Sequence, residues 1–153
     1  MSQPASRAGS SIRCAGAVPD RLFTPAEANS ALEEVRPAAE RLVALRERMR
    51  ELERTQGDLV TAIGGNGGGY AASDLNSAQG ELAGLAEAAV ACADRLEELG
   101  VSVKDFDLGL LDFPSLRHDE IVELCWHAGE ERVEYWHRIG EGYAGRKAID
   151  WGE

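Results

Sequence analysis

The residues of this chain best suited to chemistry cluster near its end. They lie in Leu124-Cys-Trp-His-Ala-Gly-Glu-Glu-Arg-Val-Glu-Tyr-Trp-His137 and, just beyond, in Gly140-Glu-Gly-Tyr-Ala-Gly-Arg146. This block holds two of the three histidines, two of the three tryptophans, a cysteine and several carboxylates. Imidazoles beside carboxylates suit proton transfer, and two imidazoles with one carboxylate form a ligand set for zinc or non-haem ferrous iron with open positions.

Whether these groups meet depends on strand geometry. The stretches 120–127 and 132–137 alternate as strands, with the turn signal Gly129-Glu-Glu between them, so they pair as an antiparallel hairpin. Side chains alternate along a strand, which puts Cys125 and His127 on one face and Tyr135 and His137 on one face of the next. The two faces coincide only in one turn register, and a slip of one residue reverses the answer. In the coinciding register His127, His137 and Glu123 approach one another, with Glu130 or Glu131 overhanging. The opposing view is structural: Trp126 and Trp136 suit a core, and Cys125 between Leu and Trp reads as a small buried hydrophobe rather than a nucleophile, since nothing supplies an oxyanion hole. Arg146, in a glycine-rich loop, offers a planar fork either to an anionic ligand or to an internal carboxylate such as Asp112, Glu130 or Glu134.

The elements that must position this block are legible upstream. Thr24-Pro25-Ala26-Glu27 combines a cap, a proline at the first helical position and a Glu three residues after the cap, opening a helix over 22–63. Leu32, Val35, Ala39, Leu42, Leu45, Met49, Leu52, Leu59 and Ile63 form its apolar stripe. Pro37 predicts a kink or a division near Val35. Residues 64–72 read as a glycine-rich connector; they lack the strand and GK[ST] ending of a phosphate loop. A second helix over 73–99 carries Leu75, Ala78, Leu82, Leu85, Ala89, Cys92, Leu96 and Leu99 at alternating three- and four-residue spacing, so the two helices pack as an antiparallel, coiled-coil-like hairpin. Over 101–149 the period shortens to a small antiparallel meander, with strands expected at 101–106, 108–114, 120–127 and 132–137, and a C-terminal loop. The fold class is therefore α+β, one domain over 22–153. Residues 1–21, rich in Ser, Ala, Gly and Pro, are expected to be a disordered tail, although their arginines and lack of acids also resemble a transit peptide.

Composition narrows the function classes. A net charge of −11 over 153 residues opposes binding to nucleic acid or anionic membranes. No apolar run is long enough to span a bilayer, and a cytoplasmic location is expected. The three cysteines show no CxxC pair, which disfavours a disulfide framework and a cysteine-type zinc site.

Phe23-Thr-x-x-Glu27-Ala28-Asn29, Arg36-Pro37, Gly100-Val-x-Val-Lys-Asp, Gly109-Leu-Leu-Asp112-Phe113-Pro114, Leu124-Cys125-Trp126, Gly129-Glu130, Tyr135-Trp136-His137 and Gly142-Tyr-Ala-Gly145-Arg146 together resemble the small bacterial family catalogued as domain of unknown function 2203. The resemblance runs from about Phe23 to Ile149 and implies no particular reaction. It places Glu27, Asn29, Asp112, Glu130, His137 and Arg146 inside family motifs, whereas the position of His127 usually holds another polar residue.

Two functions follow as expectations. One is an interaction or assembly module that dimerises or docks a protein partner through the helical hairpin, with a metal or ligand site on the C-terminal sheet. The other is a small zinc- or iron-dependent enzyme, in which His137, Glu130 and Arg146 are the catalytic set and His137, Glu130, Asp112 and His127 the metal ligands, with Glu27 as a further carboxylate.

Overall fold

The computed structural model describes residues 19–66 and 69–151, the side chains of 59 and 62–72 excepted. Two long helices, α1 (Pro25–Asn66) and α2 (Gly69–Glu98), precede five short strands: β1 (Ser102–Asp105), β2 (Leu110–Arg117), β3 (Glu120–His127), β4 (Tyr135–Arg138) and β5 (Lys147–Ala148). The strands form one antiparallel meander in chain order. Most of the tail expected over 1–21 lies outside the described residues.

A capping box sets the start of α1. The Glu27 backbone N–H donates to Thr24 Oγ1 at 3.0 Å, and the Thr24 N–H donates to Glu27 Oε1 at 3.0 Å, so two otherwise unpaired donors are satisfied. Leu32, Val35, Ala39, Leu42, Leu45, Met49 and Leu52 are all buried along the predicted stripe. Pro37 sits inside α1 without dividing it. An interior proline costs about 3 kcal/mol, and the apolar residues buried on both sides of it offset that cost.

Glycine costs a helix far less than proline does, about 1 kcal/mol relative to alanine. The helices accordingly run further into the glycine-rich stretch than expected, through Gly64 and Gly65 on one side and from Gly69 on the other. Only 67–68 of the expected connector 64–72 fall outside the described residues. At the far end α2 closes in a Schellman motif: Gly100 N–H donates to the Glu97 carbonyl and Val101 N–H to the Leu96 carbonyl, with Gly100 at φ 98° and Leu96 and Val101 buried together.

The sheet lays one face on the hairpin. Leu111, Phe113, Val122, Leu124, Trp126 and Trp136 join Phe23, Val35, Leu42 and Leu96 in a single core, and the Phe23 and Phe113 rings meet edge to face at 5.1 Å. Strand β2 does not stop at Pro114 as expected but continues to Arg117. The Pro114 carbonyl accepts the Phe23 N–H at 2.7 Å, so its missing donor faces the side left open beyond the end of β1 rather than β3.

The fourth strand begins at Tyr135 rather than Arg132, and β5 was not expected at all. Residues 128–134 form a loop instead of a tight turn, because α1 holds them. Asn29 accepts the Val133 N–H at 2.8 Å and donates to the Val133 carbonyl at 3.2 Å. Arg36 donates to the carbonyls of Glu130 and Glu131 at 2.9 and 2.8 Å. The family-motif residues Glu27, Asn29 and Arg36 are thus structural; Glu27 caps its own helix and does not reach the sheet.

Candidate metal centre

The register of the sheet decides which polar groups meet. Asp112 pairs with Cys125, Cys125 with Tyr135, and Glu123 with His137. Paired residues share a face, so Asp112, Glu123, Cys125, His127 and His137 all lie on the sheet face turned away from the helices. The two faces left undetermined by the sequence therefore coincide. His127 and His137 nevertheless do not meet, because His137 sits opposite Glu123, four residues along β3 from His127.

The groups that do converge are Asp112 from β2, Cys125 from β3 and His137 from β4. A carboxylate oxygen, the thiol sulfur and an imidazole nitrogen of these three buried residues lie within 4.8 Å of one another. His137 Nε2 is 3.2 Å from Asp112 Oδ1. Its Nδ1 is 2.8 Å from the Arg138 carbonyl, a pure acceptor, so Nδ1 carries a proton and Nε2 is the nitrogen aimed at the cluster. Glu123 Oε1 approaches the other edge of the ring at 4.0 Å.

The electrostatics reflect this crowding. The His137 pKa is pushed up to about 10, first by its hydrogen bond to Asp112 and then by that to Cys125. Burial raises the Glu123 pKa, and the neighbouring Asp112 carboxylate raises it further. Several acidic groups thus share one imidazolium in a site with little access to water.

Glu130 and Arg146 form a second cluster on the other side of Cys125. One Arg146 guanidinium nitrogen donates to both Glu130 carboxylate oxygens, at 2.7 and 2.8 Å, and to the Cys125 carbonyl at 3.3 Å. The guanidinium lies 4.3 Å from the Tyr135 ring centroid and 4.5 Å from that of Tyr143. Glu130 also accepts the His127 N–H at 2.9 Å, while the His127 ring points Nδ1 at the Ala128 carbonyl and keeps Nε2 3.7 Å from Glu130. Of the three internal carboxylates open to Arg146, Glu130 is its partner. The pair pins the loop 139–146 across the outer sheet face.

The expected ligand set is therefore split by the fold: Asp112 and His137 stand together, Glu130 and His127 stand with Arg146, and Glu27 is remote from both. In sequence a thiol between Leu and Trp resembles core, and only the sheet register brings the Cys125 sulfur to Asp112 and His137. Lys104, inside the Gly100-Val-x-Val-Lys-Asp motif, has no site role legible in the sequence. It is the extra residue at the β1 bulge between Val103 and Asp105, and it lines a cavity of about 190 Å³ together with Leu110, Asp112, Glu123, His137 and Tyr143.

The family model described as "Uncharacterized conserved protein (DUF2203)" matches residues 21–149. The chain belongs to this family. The DUF2203 span contains every member of both clusters, including Asp112, Glu123, Cys125, His137, Glu130 and Arg146. No curated protein and no solved structure matches the chain. Among the described residues no helix is long and apolar enough to cross a membrane.

Proposed function

We propose that this DUF2203 protein is a small metal-dependent enzyme that binds one zinc ion through Asp112, Cys125 and His137. One observation carries the proposal: three donors of different chemistry, delivered by three adjacent strands, meet in a buried cluster, and the His137 ring is held by the Arg138 carbonyl with Nε2 directed inward. A backbone carbonyl on the far nitrogen is a common way to orient a metal-ligating histidine. Donors on a tetrahedral zinc lie roughly 3–4 Å apart, so the cluster closes on an ion with small side-chain movements. A thiolate among the ligands favours zinc over magnesium or calcium and leaves ferrous iron as the competing ion. The adjoining cavity leaves the fourth position open, the mark of catalytic rather than structural zinc. The free thiols Cys92 and Cys125 suit a reducing cytoplasm.

The test is elemental analysis of protein purified without chelator, beside Cys125→Ser, Asp112→Asn and His137→Ala. About one zinc per chain in the wild type, lost in the three variants and retained in His127→Ala, is expected. A metal-free wild type overturns the proposal, and iron in place of zinc changes the ion.

A docking role for the helical hairpin is the second reading. It is supported by a groove along the hairpin lined by Pro37, Ala38, Arg41, Ala88, Cys92 and Arg95, and by the exposed Val60 and Val90. Light scattering decides self-association: a monomer at micromolar concentration removes the homodimer form of this role.

A further inference from the structure

We propose that the cavity beside the metal cluster takes a small carboxylate or similar oxyanion, held between the metal and the Lys104 ammonium. This inference rests on the zinc site of the preceding section and names its ligand class.

The first support is placement. Asp112, Glu123 and His137 line a cavity of about 190 Å³, which opens the cluster to a ligand. At about 30 Å³ per water molecule, this space holds a ligand of only a few heavy atoms. It is also lined by Gly140 and Gly142, at φ 94° and 74°. Glycine adopts these angles without strain, and a backbone wall leaves the space unfilled by side chains.

Lys104 provides the second support. Bulges re-aim side chains and are enriched beside active sites, and here the bulged residue is the one cationic side chain that lines the cavity. Only two of the 16 basic residues in the chain are lysines. Lys147 is held by Glu141 at 2.9 Å, whereas Lys104 has no salt bridge or side-chain hydrogen bond among the described residues. Arg146, open from sequence either to an anionic ligand or to an internal carboxylate, is committed to Glu130.

Zinc held by one carboxylate, one thiolate and a neutral imidazole forms a neutral unit, and the Lys104 charge acts on Glu123 in the same cavity. A monoanion with one oxygen on the metal and another on the ammonium competes there with Glu123 for Lys104.

Cobalt substitution tests this with acetate and inorganic phosphate as probes. Cobalt(II) in the site is expected to give visible bands and a thiolate charge-transfer band, and acetate is expected to shift the visible bands in a saturable way. Lys104→Met is expected to weaken that saturation about tenfold, with Lys104→Arg restoring most of it. Both substitutions lie on an exposed side chain, and unchanged cobalt bands in each confirm an intact site. Absence of any thiolate–cobalt band overturns the metal site itself, and this inference with it. Normal cobalt bands that neither acetate nor phosphate perturbs overturn the anion inference alone. Equal acetate affinity in wild type and Lys104→Met removes Lys104 as the anchor.

Discussion

His137 and Asp112 face each other across the intervening strand β3, with Nε2 and Oδ1 3.2 Å apart and both side chains almost wholly removed from solvent. Neither residue neighbours the other in sequence or along a hydrogen-bonded ladder; the diagonal across β3 brings them together.

The metal-free protein loses stability on the alkaline side. Asp112 raises the His137 pKa from its ordinary value of 6.5 to about 10, so the folded protein holds this proton more tightly than the unfolded chain. The resulting stabilisation is complete below about pH 6.5 and disappears as pH climbs to about 10. Melting temperatures of chelated protein are expected to fall across that interval. Asp112→Asn, which removes the largest cause, is expected to flatten the fall; an equally steep fall in the variant would show that other groups produce it.

Metal uptake releases protons. Zinc replaces the His137 Nε2 proton, since ligands bind deprotonated. Calorimetry near pH 7.5 in buffers of different ionisation enthalpy is expected to give at least one proton per zinc, because the His137 pKa of about 10 keeps that ring protonated in the metal-free protein. Release of no proton would exclude His137 as a ligand.

Glu130 and Arg146 hold the C-terminal loop and do not ligate metal. Glu130→Gln leaves a partly buried guanidinium without its counter-charge and is expected to cost about 2–3 kcal/mol in urea denaturation. Zinc content is expected to stay near wild type. Loss of zinc with unchanged stability would reverse the assignment and make Glu130 a ligand.

Gly109 admits no side chain. Its φ is 64°, and an added Cβ would lie 2.8 Å from Val43 Cγ2 and 3.0 Å from the Ala128 Cβ. Gly109→Ala is expected to lose about 2 kcal/mol, because both the backbone angle and the packing of β2 against α1 oppose it. Gly129→Ala has a strained φ of 108° but open space around it, and a smaller loss is expected. Equal losses for the two would show that the contacts with Val43 and Ala128 are unimportant.

Local pattern determined much of this protein. The Thr24–Glu27 capping box, the stripe from Leu32 to Leu52, the seam of α2 and strand β3 with its boundaries at Glu120 and His127 all follow from spacing, because helix and strand periods are properties of neighbouring residues. Elements whose limits depend on distant partners were less legible. Pro114 stays in β2 because Phe23 takes the place of a β1 neighbour, and 132–134 leave β4 because Asn29 captures Val133. The site was legible only as a list of residues. His137, Asp112, Glu130 and His127 were on it, with only the family resemblance setting His127 below the others; Cys125 looked like core, and Lys104 stood in a motif without a role. Tertiary structure sorted them, since strand register is fixed by the burial of the opposite face, where Leu124, Trp126 and Trp136 pack on the helices, and a one-residue slip would turn every polar group of the cluster into that core.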